Sequence, residues 1–144
     1  MHEAIENLRL DHLGIQVSDL AAAIESFTKY LGYRQATLPV VNTRHQVEVV
    51  FLEKPGSIPL KLFRSVQDPR PQLPKLHHVA FHTGEMDGAV DALVAEGARV
   101  LHAPAPGEAF DDEPIAFLFA GGLNLELVST DKRRGRLPPE EAEG

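Results

Sequence analysis

The sequence predicts an α+β domain built from two βαβββ modules, and three observations carry that prediction. Residues 10–30, LDHLGIQVSDLAAAIESFTKY, are repeated in pattern by residues 76–96, LHHVAFHTGEMDGAVDALVAE, 66 positions later. In both copies a period-2 apolar pattern gives way to a helical one, the signature of a strand followed by a helix. Both copies then close with a short strand, LKLF at 60–63 and LNLELV at 123–128, in which Lys61 and Glu126 are equivalent. At 144 residues the chain is long enough for one self-sufficient core.

The elements follow in order. Leu13, Ile15 and Val17 alternate with His12, Gly14 and Gln16, as in a strand with one apolar face. Ser18 and Asp19 offer helix-start chemistry, and Leu20, Ile24, Phe27 and Leu31 fall on one helical stripe. Gly32 stands where a left-handed residue ends that helix. Val47, Val49 and Phe51 alternate with Glu48, Val50 and Leu52 in a further strand, and IPLKLF leads into the closing one. In the second copy Val79 and Phe81 alternate with His78, Ala80 and His82. A helix carrying Met86, Val90 and Leu93 follows, ended by Gly97, and IAFLF at 115–119 is the counterpart of the middle strand. Gly121 and Gly122 read as the turn before the last strand.

One domain is expected over 8–130, with modules 8–66 and 75–130 joined by a proline-studded bridge at 67–74. The remaining segment, 131–144, is highly charged and nearly devoid of apolar residues, so it is expected to be a disordered or loosely docked tail. Net charge is −7, which argues against a nucleic-acid partner. The absence of cysteine removes disulfides, thiol catalysis and thiolate metal sites. No apolar run approaches a membrane span and no secretory signal is visible, so a cytoplasmic protein with no membrane partner is expected.

The apolar residues of each first strand must pack under a helix. His12 and His78 therefore face the opposite side, and the alternation of the closing strands sends Lys61 and Glu126 the same way. Pseudo-symmetry brings the four toward a shared concave surface. Two imidazoles and a carboxylate suit a divalent metal (zinc, cobalt, nickel, manganese or iron), and three protein ligands leave open positions, as in catalytic centres. His77 and Asp11 are equivalent and are expected to be structural. Gln16 and His82 read as solvated strand ends, with the mouth of the cup as their alternative place, and His102 carries no signal.

The stretches LDHLGIQVSDLAAAIESFTKYLGY (10–33), LHHVAFHT (76–83) and GGLNLELV (121–128) resemble the vicinal oxygen chelate superfamily of glyoxalase, bleomycin-resistance and dioxygenase proteins. Within it, QVEVVFL (46–52) and the HH pair before VAF resemble the methylmalonyl-CoA epimerase-like members. The resemblance implies a glyoxalase-like fold, a cupped mixed sheet of two βαβββ modules, commonly a homodimer, with a metal in the cup. The family's first-strand histidines fall on His12 and His78 and its last-strand glutamate on Glu126. Its fourth ligand, Gln or Glu, falls on Lys61, whose ammonium has no lone pair to offer. Its second catalytic glutamate falls on Arg44, which cannot act as a base, with His45 beside it.

The implied activity is that of a metal-dependent isomerase or lyase. It would stabilise an enolate or enediolate on a small carbonyl or acyl-thioester substrate. Glu126 or His45 would move the proton, and Lys61 would hold an oxyanion or carboxylate. Two alternatives stay open. One is a non-haem Fe(II) oxygenase using the two-histidine, one-carboxylate set. The other is a metal-free small-molecule binding module in which Lys61 pairs with Glu126.

Overall fold

The computed structural model describes residues 2–68 and 70–138. The elements run α1 (Glu3–Glu6), β1 (Arg9–Gln16), α2 (Leu20–Leu31), β2 (Arg34–Gln35), β3 (Val40–Asn42), β4 (Val47–Glu53), β5 (Leu60–Ser65), β6 (Lys75–His82), α3 (Met86–Ala95), β7 (Arg99–Gly107), β8 (Glu113–Ala120) and β9 (Leu123–Val128). A single 3-10 turn, Glu108–Phe110, joins β7 to β8. Among the described residues the nine strands form one sheet, ordered β2-β4-β5-β1-β6-β9-β8-β7, with β3 alongside β4. This is the mixed sheet of a glyoxalase-like fold. Its two halves meet at the antiparallel β1–β6 pair, and each first strand is flanked by its own closing strand in parallel, β5 on β1 and β9 on β6.

The local chemistry of the elements follows from the sequence. Asp19 caps α2 by accepting a hydrogen bond from the Ala22 N–H, and Gly32 ends it with φ of 73°. Leu20, Ile24 and Phe27 then press on Val50, Leu52, Leu60 and Leu62. Leu31, expected on the same stripe, is half exposed in the last turn. Helix α3 buries Ala89 and Ala92 against Leu118, Leu125 and Leu127, where small side chains let helix and sheet approach closely. Each large apolar side chain so buried contributes roughly 1.5–3 kcal/mol. The strand after α2 is divided into β2 and β3, with Pro39, which has no N–H for a ladder, between them.

A third apolar cluster lies inside the cup: Val49, Phe51, Phe63, Phe110, Ile115 and Val128. Strand β4 therefore has both faces buried, Val50 and Leu52 under α2 and Val49 and Phe51 in the cup.

Of the charged segment, residues 131–138 dock on the domain. Leu38 N–H donates to Gly135 O, Leu137 N–H donates to Ala36 O, and Thr37 and Arg136 form an antiparallel bridge. The basic residues find acids in the body of the domain: Lys132 pairs with Glu113, Arg133 with Asp11, Arg134 with Asp111 and Asp112, and Arg136 with Glu53. A charge run looks solvated when only its sequence neighbours are counted, whereas these partners stand 19 to 122 positions away. The rest of that segment, 139–144, lies outside the described residues.

Candidate metal centre

Register explains how four side chains from four strands meet. Across β1, β6 and β9, His12 lies opposite Ala80, and Ala80 opposite Glu126. Across β6, β1 and β5, His78 lies opposite Gly14, and Gly14 opposite Lys61. In both rows a small residue separates two long ones, so the long side chains close over it. His12 and Glu126 are fully buried, and His78 and Lys61 nearly so. Oε1 of Glu126 stands 3.0 Å from His12 Nε2 and 2.9 Å from His78 Nε2. Lys61 Nζ lies 3.3 Å from both carboxylate oxygens.

Two β-bulges supply the parts that strand periodicity hides. Between Leu10 and His12 the ladder skips Asp11, and on the partner strand it skips His77. A bulge re-aims its extra side chain. Asp11 and His77 consequently turn toward the histidines that follow them. His12 Nδ1–H donates to Asp11 Oδ2 at 2.6 Å, and His77 Nδ1 sits 2.8 Å from His78 Nδ1. The pair expected to be merely structural thus orients both imidazoles. Asp11 is paired in turn with Arg133, whose guanidinium lies 4.5 Å from the centroid of Phe51 and 5.0 Å from that of Phe110.

His12 Nε2 lies within hydrogen-bonding distance of Glu126 Oε1, at 3.0 Å. His78 Nε2 is close to the same oxygen but off its axis, and is buried without a hydrogen bond. Three atoms able to ligate, one from each of His12, His78 and Glu126, lie within 4.8 Å of one another, and the Lys61 ammonium is the cation beside them. The donor set fits a divalent metal held by His12, His78 and Glu126, with Asp11 and His77 supporting the ligands from behind.

Burial by itself would raise the pKa of Glu126, but the Lys61 ammonium and the contacts with His12 and His78 hold it well below the usual carboxylate range. Burial pushes His78 down to about 4, so it is neutral and ligand-competent at neutral pH. Burial would likewise raise Asp11, and the bond from His12 with the charge of Arg133 keeps it ionised.

The centre opens into a cavity of about 320 Å³ lined by Gln16, Asn42, His45, Val47, Lys61, Phe63, His77, His78, Leu101, His102, Phe117 and Asn124. His45 belongs to this wall, whereas Arg44 faces a separate outer pocket with Glu108 and Arg134. The turn bearing both is pinned from the other module, since Glu108 accepts from the Thr43 N–H and hydroxyl at 2.6 Å. The His45 ring stands edge-on to Phe117 and to His102, and burial, the imidazole of His102 and the charge of Lys61 lower its pKa. His102, which carried no signal in the sequence, and Gln16, whose alternative place was the cup mouth, line the cavity as well. His82, the other expected strand-end residue, does not line it.

Comparison with known proteins agrees with this architecture. An ethylmalonyl-CoA/methylmalonyl-CoA epimerase of Cereibacter sphaeroides is 29% identical over 132 residues, covering 86% of this chain and 97% of that protein. A 2-epi-5-epi-valiolone epimerase of Actinomyces sp. is 31% identical, with 82% and 77% covered. The crystal structure of methylmalonyl-CoA epimerase from Mycobacterium tuberculosis superposes with a TM-score of 0.69 at 28% identity, over 94% of this chain and 91% of that one. Residues 11–117 match the glyoxalase/bleomycin resistance protein/dioxygenase superfamily, and the chain, with its paired βαβββ modules, belongs to that superfamily.

Proposed function

We propose that this chain is an isomerase of the epimerase type, inverting a stereocentre beside a carbonyl by removing and returning a proton. One observation carries the reading: two imidazole nitrogens and a carboxylate oxygen converge beside a cavity that His78 and Lys61 line and whose wall holds His45. His12, His78 and Glu126 would hold a divalent ion, which when bound supplies Lewis acidity toward the substrate carbonyl and so acidifies the neighbouring C–H. Zinc, cobalt, nickel, manganese and iron all suit the donors.

The chain's own groups do the rest. Lys61 presents a positive charge to a carbonyl oxygen or carboxylate of the substrate. His45, kept neutral by burial, by His102 and by Lys61, takes the proton on a ring nitrogen. His77, packed edge-on to Phe63 and lining the same cavity, is a second imidazole that would return the proton. Phe63 and Phe117 give this cavity apolar walls. The relatives are named for an acyl-CoA thioester and for a valiolone, so the substrate class is a carbonyl compound with an acidic α-hydrogen.

The test is hydrogen exchange in deuterated water, followed by mass spectrometry, with metal-supplemented protein and either methylmalonyl-CoA or 2-epi-5-epi-valiolone. Deuterium should enter the α position of one of them, and His45→Gln should slow this about 100-fold. Exchange at the wild-type rate in that variant would remove His45 from the mechanism. No exchange into either compound would count against the isomerase itself.

A further inference from the structure

We infer that Lys61 is a tethered cation that competes with the divalent ion for Glu126, so that this chain takes metal weakly and only by displacing its own lysine. The inference rests on His12, His78 and Glu126 being a metal-competent set, and it concerns how that set is occupied.

Register puts Lys61 there: it is the outer member of the His78–Gly14–Lys61 row and the pseudo-symmetric mate of Glu126. Its side chain is 6% exposed, and its Nζ is equidistant, at 3.3 Å, from the two oxygens of a fully buried carboxylate. The rings of Phe110, Phe117 and Phe63 surround the ammonium with centroids at 5.4, 5.7 and 5.9 Å, a cation–π cage that holds charge rather than a loose surface lysine. The buried charges already balance, Lys61 against Glu126 and Arg133 against Asp11. A divalent ion on the same carboxylate would face the ammonium across a few ångströms of poorly screened protein, and an ammonium cannot relieve this by ligating.

The stem has somewhere to go. Lys61 also lines the cavity, so rotation of its four-carbon chain can carry Nζ off Glu126 toward the substrate space. Two states follow. In one the ammonium sits on Glu126 and no ion is bound; in the other the ion sits on the three donors and the ammonium faces the cavity. Either state presents a positive centre to a substrate oxygen.

The experiment uses the full-length protein, stripped with a chelator, at one fixed pH. Co(II) affinity is read by calorimetry and by the visible absorption of the bound ion, in wild type, Lys61→Met and Lys61→Gln. Lys61→Met removes the charge and adds no oxygen ligand, and it should bind one equivalent about 100-fold more tightly than wild type. Lys61→Gln should do at least as well. Equal affinity in wild type and Lys61→Met would overturn the competition and leave the metal site standing. A gain confined to Lys61→Gln would also overturn it, since the glutamine would then act only as an added ligand. Failure of all three to bind would overturn both the competition and the metal-competent set. Because Lys61→Met strips a buried carboxylate of its partner and can fail to fold, a second measurement stays with wild type. The 15N resonance of the Lys61 ammonium should shift or broaden as Co(II) saturates the site; in diamagnetic Zn(II) it should move by the same displacement. A signal unmoved at saturating Zn(II) would overturn the inference.

Discussion

A Cβ on Gly14 would fall within the imidazole of His78, because that ring lies flat over the neighbouring strand on its way to Glu126. Gly14 is thus required for space and not for a left-handed backbone. Gly14→Ala should push the ring away, weakening Co(II) binding at least ~10-fold and costing about 1–3 kcal/mol from overpacking. Calorimetry with a denaturant series would check it, and undiminished affinity would show that the ring has room to move. Asp11 acts on the other ligand. Asp11→Asn keeps a hydrogen-bond acceptor but loses the charge behind His12, and metal affinity should drop about 10- to 100-fold in the same titration. These two positions mark the limit of what could be read in advance. His12, Lys61, His78 and Glu126 were legible because the repeat places them at equivalent points of regular strands, where period-2 logic holds. Asp11 and His77 were not, since bulges break that period at those residues and nothing in the composition announces a bulge.

At the level of elements, the repeated strand–helix–strand order was plain because each module carries its own periodicity and its own stop signals at Gly32 and Gly97. Two pieces escaped. The 3-10 turn Glu108–Phe110 looks like loop, yet it delivers Phe110 to the inside of the cup, against His12. The docked segment 131–138 looks like solvent-exposed charge, and its order depends on partners contributed by four distant parts of the chain. Its chief anchor is Arg133, whose side chain is 5% exposed and whose partner Asp11 is 10% exposed. Removing one member of a pair so buried leaves an uncompensated charge. Arg133→Ala should therefore lower unfolding free energy by about 3 kcal/mol in urea, with Arg134→Ala, an exposed pair, changing it by less than about 1 kcal/mol. If both variants unfold at the wild-type midpoint, the segment contributes nothing to the domain. A loss in Arg133→Ala accompanied by weaker Co(II) binding would place the segment in the support of His12 as well.

For the whole molecule, the cup is a buried polar core inside an acidic protein, and the two facts predict opposite responses to acid. The net charge of −7 shrinks as pH falls from 7, so general repulsion declines and the folded state should gain stability. The cup predicts a loss. Burial pushes His78 down to about 4, and lowers His45 and His77 too, with added help from neighbouring positive charge. Between the ordinary histidine value near 6.5 and about 4, the unfolded chain binds a proton on residue 78 that the folded chain refuses. Stability then rises with pH across that window and falls as pH drops through it, by about 2 kcal/mol at pH 5 from His78 alone. Glu126 and Asp11, both held below the usual carboxylate range, add a further loss at more acid pH, where the unfolded chain protonates first. The cup outweighs the surface because its groups are desolvated and their interactions are not screened by salt. Apo protein should accordingly unfold at lower urea at pH 5 than at pH 7, in high salt as well as low. His78→Asn should flatten much of that slope, and a divalent ion should steepen it, because bound metal stabilises only the form with deprotonated imidazoles. A midpoint that rises from pH 7 to pH 5 would mean that surface repulsion governs this molecule and that the cup is more hydrated than its geometry indicates.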